Sequence, residues 1–182
     1  ITANNKVYDG VRTATLSGTA TYVGLQNGEN FAVTGSPSAS FDTAAVGTGK
    51  ALTVIGYTAP NSNYTVSQPT GLTADITTAN LNITANNGSK TYGQTFTTGS
   101  GSTLFTSIGL QNSETIGSIT IASSGDVNTA VVNTYPIVPT SATGGTFTTS
   151  NYTITYTNGT LTVNPAPLTI TGLTADNKIY NG

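Results

Sequence analysis

Apolar and polar positions alternate without a break along Tyr152-Thr153-Ile154-Thr155-Tyr156-Thr157, and again along Thr160-Leu161-Thr162-Val163. A period of two puts alternate side chains on opposite faces of an extended strand. Between the two runs lies Asn158-Gly159, the dipeptide that most favours a two-residue hairpin. The segment therefore reads as a hairpin with Tyr156 opposite Leu161 and Ile154 opposite Val163. In that register Tyr152, Ile154, Tyr156, Leu161 and Val163 share one face and threonines fill the other. A weaker counterpart runs from Tyr64 to Pro69 and from Gly71 to Ile76, with Pro69 ending its first strand. Further strands are expected at Val11–Leu16, Ala20–Val23, Phe31–Thr34, Ala51–Tyr57, Leu81–Ala85, Gly117–Ala122, Val131–Val138 and Pro167–Thr171. They are short and separated by Gly, Asn and Ser, as in a small β-sandwich. No segment carries the run of good formers that an ordinary helix needs. Thr43–Val46 behind Asp42 and Leu110–Ile116 around Ser113 have room for one turn each.

The pattern restarts. Ile1-Thr-Ala-Asn-Asn-Lys-Val-Tyr-Asp-Gly10 returns near the middle as Ile83-Thr-Ala-Asn-Asn-Gly-Ser-Lys-Thr-Tyr-Gly93, and at the close as Leu173-Thr-Ala-Asp-Asn-Lys-Ile-Tyr-Asn-Gly182. Gly24-Leu-Gln-Asn-Gly-Glu29 returns as Gly109-Leu-Gln-Asn-Ser-Glu114, and Asn63-Tyr-Thr-Val66 as Asn151-Tyr-Thr-Ile154. Such a period marks a tandem array, and a first residue inside a repeat phrase is expected of a piece cut from a longer one. The repeats divide the chain into a module over 1–80, a second over 81–167, and the opening of a third over 168–182. The expectation is all-β: two small antiparallel modules, sandwich-like with a β-grasp-like arrangement as the alternative, joined end to end as an elongated rod. Strand-like phrases bridge the modules, Ile76–Ile83 and Val163–Ile170, and Pro165 and Pro167 restrict bending in the second. Each join is expected to pass from strand to strand with little slack.

Composition sharpens this picture mainly by subtraction. Charged residues make up 7% of the 182, against a usual quarter. Solubility rests instead on threonine, asparagine, serine and glycine, and threonine favours pleated, half-buried surfaces. A net charge of −2 with scattered signs offers no basic patch for nucleic acid or anionic membrane. No apolar run reaches membrane-span length. The chain has no Cys, His, Met or Trp. Disulfides and thiol chemistry are therefore absent, zinc has none of its preferred ligands, and serine or threonine has no histidine base. The few acids show no metal-loop spacing, which leaves calcium only distant acids plus carbonyls. No cofactor is expected and the reading is non-catalytic.

The sharpest residue signal is a thrice-repeated Lys-x-Tyr: Lys6 and Tyr8 before Gly10, Lys90 and Tyr92 before Gly93, Lys178 and Tyr180 before Gly182. The structural reading packs each Tyr into a module core or joint, sets the Lys beside it on the solvent face and gives the turn to the Gly. A ligand contact repeated along the rod, and a Lys–Asn or Lys–Asp crosslink, are the other readings. Thr-x-Thr spacing reads as a solvated strand face, with a hydroxyl array for ice or carbohydrate as its alternative.

Ala3–Gly10 and Ser89-Lys-Thr-Tyr-Gly-Gln94 resemble the hallmarks of the YDG-type and MBG-type repeats, and Tyr156-Thr-Asn-Gly-Thr-Leu-Thr-Val163 resembles the MBG-type ending. The resemblance implies a repeat from a large exported bacterial surface protein, such as a filamentous-haemagglutinin-like adhesin of two-partner secretion. It implies an extracellular stalk or spacer that projects a distal binding domain, with no catalytic residues to carry over. The implied partners are neighbouring repeats of one monomeric chain. The rival function is a module that itself binds polysaccharide or surface glycan in adhesion or a biofilm matrix.

Overall fold

The computed structural model describes all 182 residues. Its first module contains β1 (Thr2–Ala3), β2 (Lys6–Val7), β3 (Thr13–Ala14), β4 (Leu16–Ser17), β5 (Thr34–Phe41), β6 (Gly47–Thr58) and β7 (Thr73–Thr77). A five-stranded sheet runs in the order β2-β7-β6-β5-β3, while β1 pairs with β4 alone. Alternation places Ala39 and Phe41 of β5, Leu52 and Val54 of β6, and Ala74 and Ile76 of β7 in the core.

The second module contains β8 (Ala79–Ala85), β9 (Gly88–Thr91), β10 (Gly99–Ser102), β11 (Phe105–Ile108), β12 (Ile116–Ala122), β13 (Thr134–Gly145), β14 (Tyr152–Thr157) and β15 (Gly159–Asn164). Its five-stranded sheet runs β10-β12-β13-β15-β9 and its three-stranded sheet β11-β8-β14. Ile119, Ile121, Ile137 and Leu161 from the larger sheet meet Leu81, Ile83, Ala85 and Tyr152 from the smaller in one core. This is a sandwich. No β-grasp helix crosses it: the single helical element is a 3-10 turn at Thr149–Asn151. The fold is all-β in two tandem modules, as the alternation implied.

Most ladders are antiparallel, and three are parallel: β2 with β7, β8 with β14, and β9 with β15. These parallel pairs overturn the expected hairpin. β14 does not pair with β15. It lies parallel to β8, while β15 joins the opposite sheet between β13 and β9. A two-residue type I′ turn needs positive φ at both central positions, and neither Asn158 nor Gly159 has it. The chain instead passes from one sheet to the other through Asn158. Gly159 is required there because a Cβ would stand 2.5 Å from the Ala85 carbonyl oxygen and 2.7 Å from that of Asn86. The face assignment survives the change of partner, since Tyr152, Leu161 and Val163 are all buried, now from two facing sheets.

Several weaker expectations fail. Ala20–Val23 and Pro167–Thr171 form no strand, Phe31–Thr34 contributes only its last residue, and Tyr64–Pro69 forms none. Neither Thr43–Val46 nor Leu110–Ile116 forms a helical turn. The first join does run from strand to strand: only Thr78 separates β7 from β8. After Asn164 the chain is exposed and outside any strand to Gly182.

Candidate functional site

The Lys-x-Tyr phrase lies where the modules end. Its lysines are not on the solvent face. The Lys6 side chain is 17% exposed, and its Nζ donates to Asp9 Oδ1 at 2.6 Å, the Val11 carbonyl at 2.8 Å and the Thr13 carbonyl at 3.0 Å. It also lies over the Phe41 ring. Burial alone would raise the Asp9 carboxyl, but the Lys6 hydrogen bond and the Val11 amide outweigh it and hold the group below its ordinary value. Lys90 is 6% exposed. It has no such acid, because Gly93 stands where the first module has Asp9. Its Nζ donates to the carbonyls of Gln94, at 2.9 Å, and Val127. Each ammonium thus ties loop carbonyls together from inside, and no crosslinking partner faces Lys90. Lys178, Tyr180 and Gly182 lie on the exposed tail. Gly10, Gly93 and Gly182 all have left-handed φ, at 77°, 89° and 70°. At Gly10 an added Cβ would also meet Asn112 of the second module at 2.4 Å.

Tyr8 is 5% exposed and stands at the joint. Its amide donates to the Thr77 carbonyl at 2.8 Å, and its hydroxyl reaches into the second module to donate to Glu114 Oε1. Tyr152 donates to the other oxygen, Oε2, at 2.6 Å, and its hydroxyl accepts the Gln111 amide at 2.9 Å. The two rings meet edge to face, centroids 5.5 Å apart. One carboxylate therefore receives a phenol from each module. Burial, and then the neighbouring Glu114, push both phenols up to about 12. Asn151, also buried, accepts the Val46 amide across the same joint at 3.1 Å.

Sequence reasoning identified Tyr8 and left Glu114, Gln111, Asn151 and Tyr152 unassigned. The signal was present, since all four stand in phrases that recur in both modules. The first module repeats the geometry. Tyr64 donates to Glu29 Oε2 and accepts the Gln26 amide at 3.0 Å, and the Glu29 hydrogen bond raises its phenol. There the second phenol is missing. Tyr92, the counterpart of Tyr8, makes the matching amide bond to Asn164 at 2.8 Å, yet its side chain is 47% exposed.

No group of three or more His, Cys, Asp and Glu comes together anywhere in the fold, and no helix is long and apolar enough to cross a membrane. The arrangement ties modules and loops together, and its carboxylates serve as hydrogen-bond acceptors.

Comparison with known families matches residues 1–71 to the YDG domain and residues 81–162 to the MBG domain, YGX type. The two labels mirror the chemical difference just described, Tyr8-Asp9-Gly10 against Tyr92-Gly93-Gln94. No curated protein and no solved structure gives a match.

Proposed function

From a chain that is a YDG domain in series with an MBG domain, repeat modules of adhesin-like proteins, we propose a non-catalytic stalk segment. In this reading the repeats belong to an exported bacterial adhesin, stand outside the cell, and hold a distal binding domain away from the surface. The observation that carries it is the joint. A one-residue connection at Thr78 leaves little room for swivel, and Tyr8, Glu114 and Tyr152 fasten the two sides together. Small folded units become reach only if such joints hold their angle. Neighbouring repeats are then the module's partners.

Small-angle scattering tests this directly. The native chain should give a single, well-defined long dimension. Insertion of a Gly-Ser stretch at Thr78 should leave both modules folded and broaden that dimension toward compact shapes. A native chain as broadly distributed as the insertion variant overturns the reading. So does reproducible, saturable binding on a glycan array, which favours the rival glycan-binding role.

A further inference from the structure

The joint at Thr78 is complete, and its two halves recur unjoined at opposite ends of the chain. In the second module β8 lies between β11 and β14. Phe105, Thr106, Ser107 and Ile108 pair antiparallel with Ala85, Thr84, Ile83 and Asn82, while Tyr152–Thr157 pairs parallel with Ala79–Thr84. In the first module the matching ladder, Ala3 with Leu16 and Thr2 with Ser17, stops after two residues. Beyond it Thr19–Thr21 and Thr65–Ser67, the counterparts of the flanking strands, make no backbone–backbone hydrogen bonds. They border an open groove of about 180 Å³ that begins at Ile1 and is lined by Tyr22, Val33, Tyr57 and Val66, with no charged side chain. Beside it Glu29 holds Tyr64 through one oxygen and has no partner on the other.

The complementary half is the far end of the second module. Leu168-Thr169-Ile170-Thr171 alternates, carries no charge, and is fully outside the fold, with Leu168 96% and Ile170 82% exposed. It immediately precedes Leu173-Thr-Ala, the repeat of Ile1-Thr-Ala. Tyr92 stands at that end in the position Tyr8 holds at the joint.

We propose that the groove of the first module receives the tail of a second copy of this chain. Leu168–Thr171 of one copy lies between Thr19–Thr21 and Thr65–Ser67 of the next, as β8 lies between β11 and β14. Tyr92 of the incoming copy donates to Glu29, as Tyr8 donates to Glu114. Residues 173–182 leave the sheet where Ile1 of the receiving copy takes over. The occupant is an added strand, and main-chain pairing supplies much of its hold. The contact is heterologous and does not close, so it builds open chains. A strand this short binds weakly between free copies, whereas a tether raises the effective concentration to millimolar levels. The inference concerns the surface alone and holds whether or not the array serves as a stalk.

Hydrogen exchange and sedimentation of the full chain test it as protein concentration is raised into the millimolar range. Amides of Thr19–Thr21 and Thr65–Ser67 should gain protection as larger species appear. The double variant L168D/I170D, altered only in the exposed tail, should keep its melting temperature and lose both effects. Tyr92→Phe should weaken association roughly tenfold, the worth of a charge-assisted hydrogen bond. Absence of added protection at these amides overturns the proposal. So does protection that persists in L168D/I170D, which assigns the groove to edge-to-edge pairing or another occupant.

Discussion

The two modules share one plan and differ in how much of it is built. The sheet β2-β7-β6-β5-β3 of the first answers strand for strand to β9-β15-β13-β12-β10 of the second. The partner sheets diverge. The second module has three strands, with the seven-residue β8 at their centre, while the first has only β1 and β4, of two residues each. The consequence is visible in equivalent tyrosines. Tyr152 is 6% exposed within a strand, whereas Tyr64 is only partly buried and lies outside any strand. The same local phrase becomes a core strand in one place and a loop in the other. What decides is whether a β8-like strand lies alongside it.

The comparison breaks most severely at the second core. Leu161, fully buried, touches both sheets' worth of apolar neighbours. Leu161→Ala should cost about 3 kcal/mol by loss of transfer energy and the cavity left behind. The expected outcome is a second-module transition that moves down in thermal melts followed by hydrogen exchange, while protection of β5 and β6 is kept. Equal loss in both modules would show that they unfold as a unit.

The crossover gives a smaller and more pointed effect. Gly159→Ala should cost about 2 kcal/mol, because its Cβ meets carbonyl oxygens of a neighbouring run. Asn158→Ala should cost under about 0.5 kcal/mol, since the residue is exposed and holds no left-handed turn. Chemical denaturation of the two variants checks this. The reverse ranking is what a hairpin turn predicts.

The smallest effect sharpens the joint. Folding raises the phenols of Tyr8 and Tyr152 from an ordinary 10.0 to about 12, which means that it favours their protonated forms. The associated stability is fully present below pH 10 and is lost as pH rises through about 12. Phenolate absorbance should show these two titrating last, and Glu114→Gln should bring both midpoints down. Midpoints that do not respond to Glu114→Gln would remove the shared carboxylate as a cause.

Alternation made β6, β8, β12, β14 and β15 legible in the sequence, because each packs a regular apolar row into a core. It could not reveal β5, where Thr34-Gly-Ser-Pro-Ser38 presents a polar, bulged start and only Ala39 and Phe41 are buried apolar positions. Nor could it reveal the Gly-Ser run of β10, whose edge position asks nothing of its side chains. Pairing was misread at Asn158-Gly159 because a turn signal is local and the partner of β14 lies some seventy residues away, at β8. At the joint the Lys-x-Tyr phrase pointed to Tyr8. Its acceptor was hidden because Glu114 looks, in sequence, like an ordinary loop acid, and only folding brings it between two phenols. The inward turn of Lys6 and Lys90 was equally hidden, since carbonyls leave no mark on sequence.

The parallel register has a mechanical meaning. Ala79–Thr91 and Tyr152–Asn164 are two long runs that cross between the sheets at the same level and lie side by side, paired first at Tyr152 with Ala79 and last at Asn164 with Thr91. The chain enters the second module at the start of one run and leaves at the end of the other. Tension drawn along the chain therefore pulls them lengthwise past each other. It loads the ladder bonds together, as a lap joint is loaded, and gives no end from which they can be peeled one at a time.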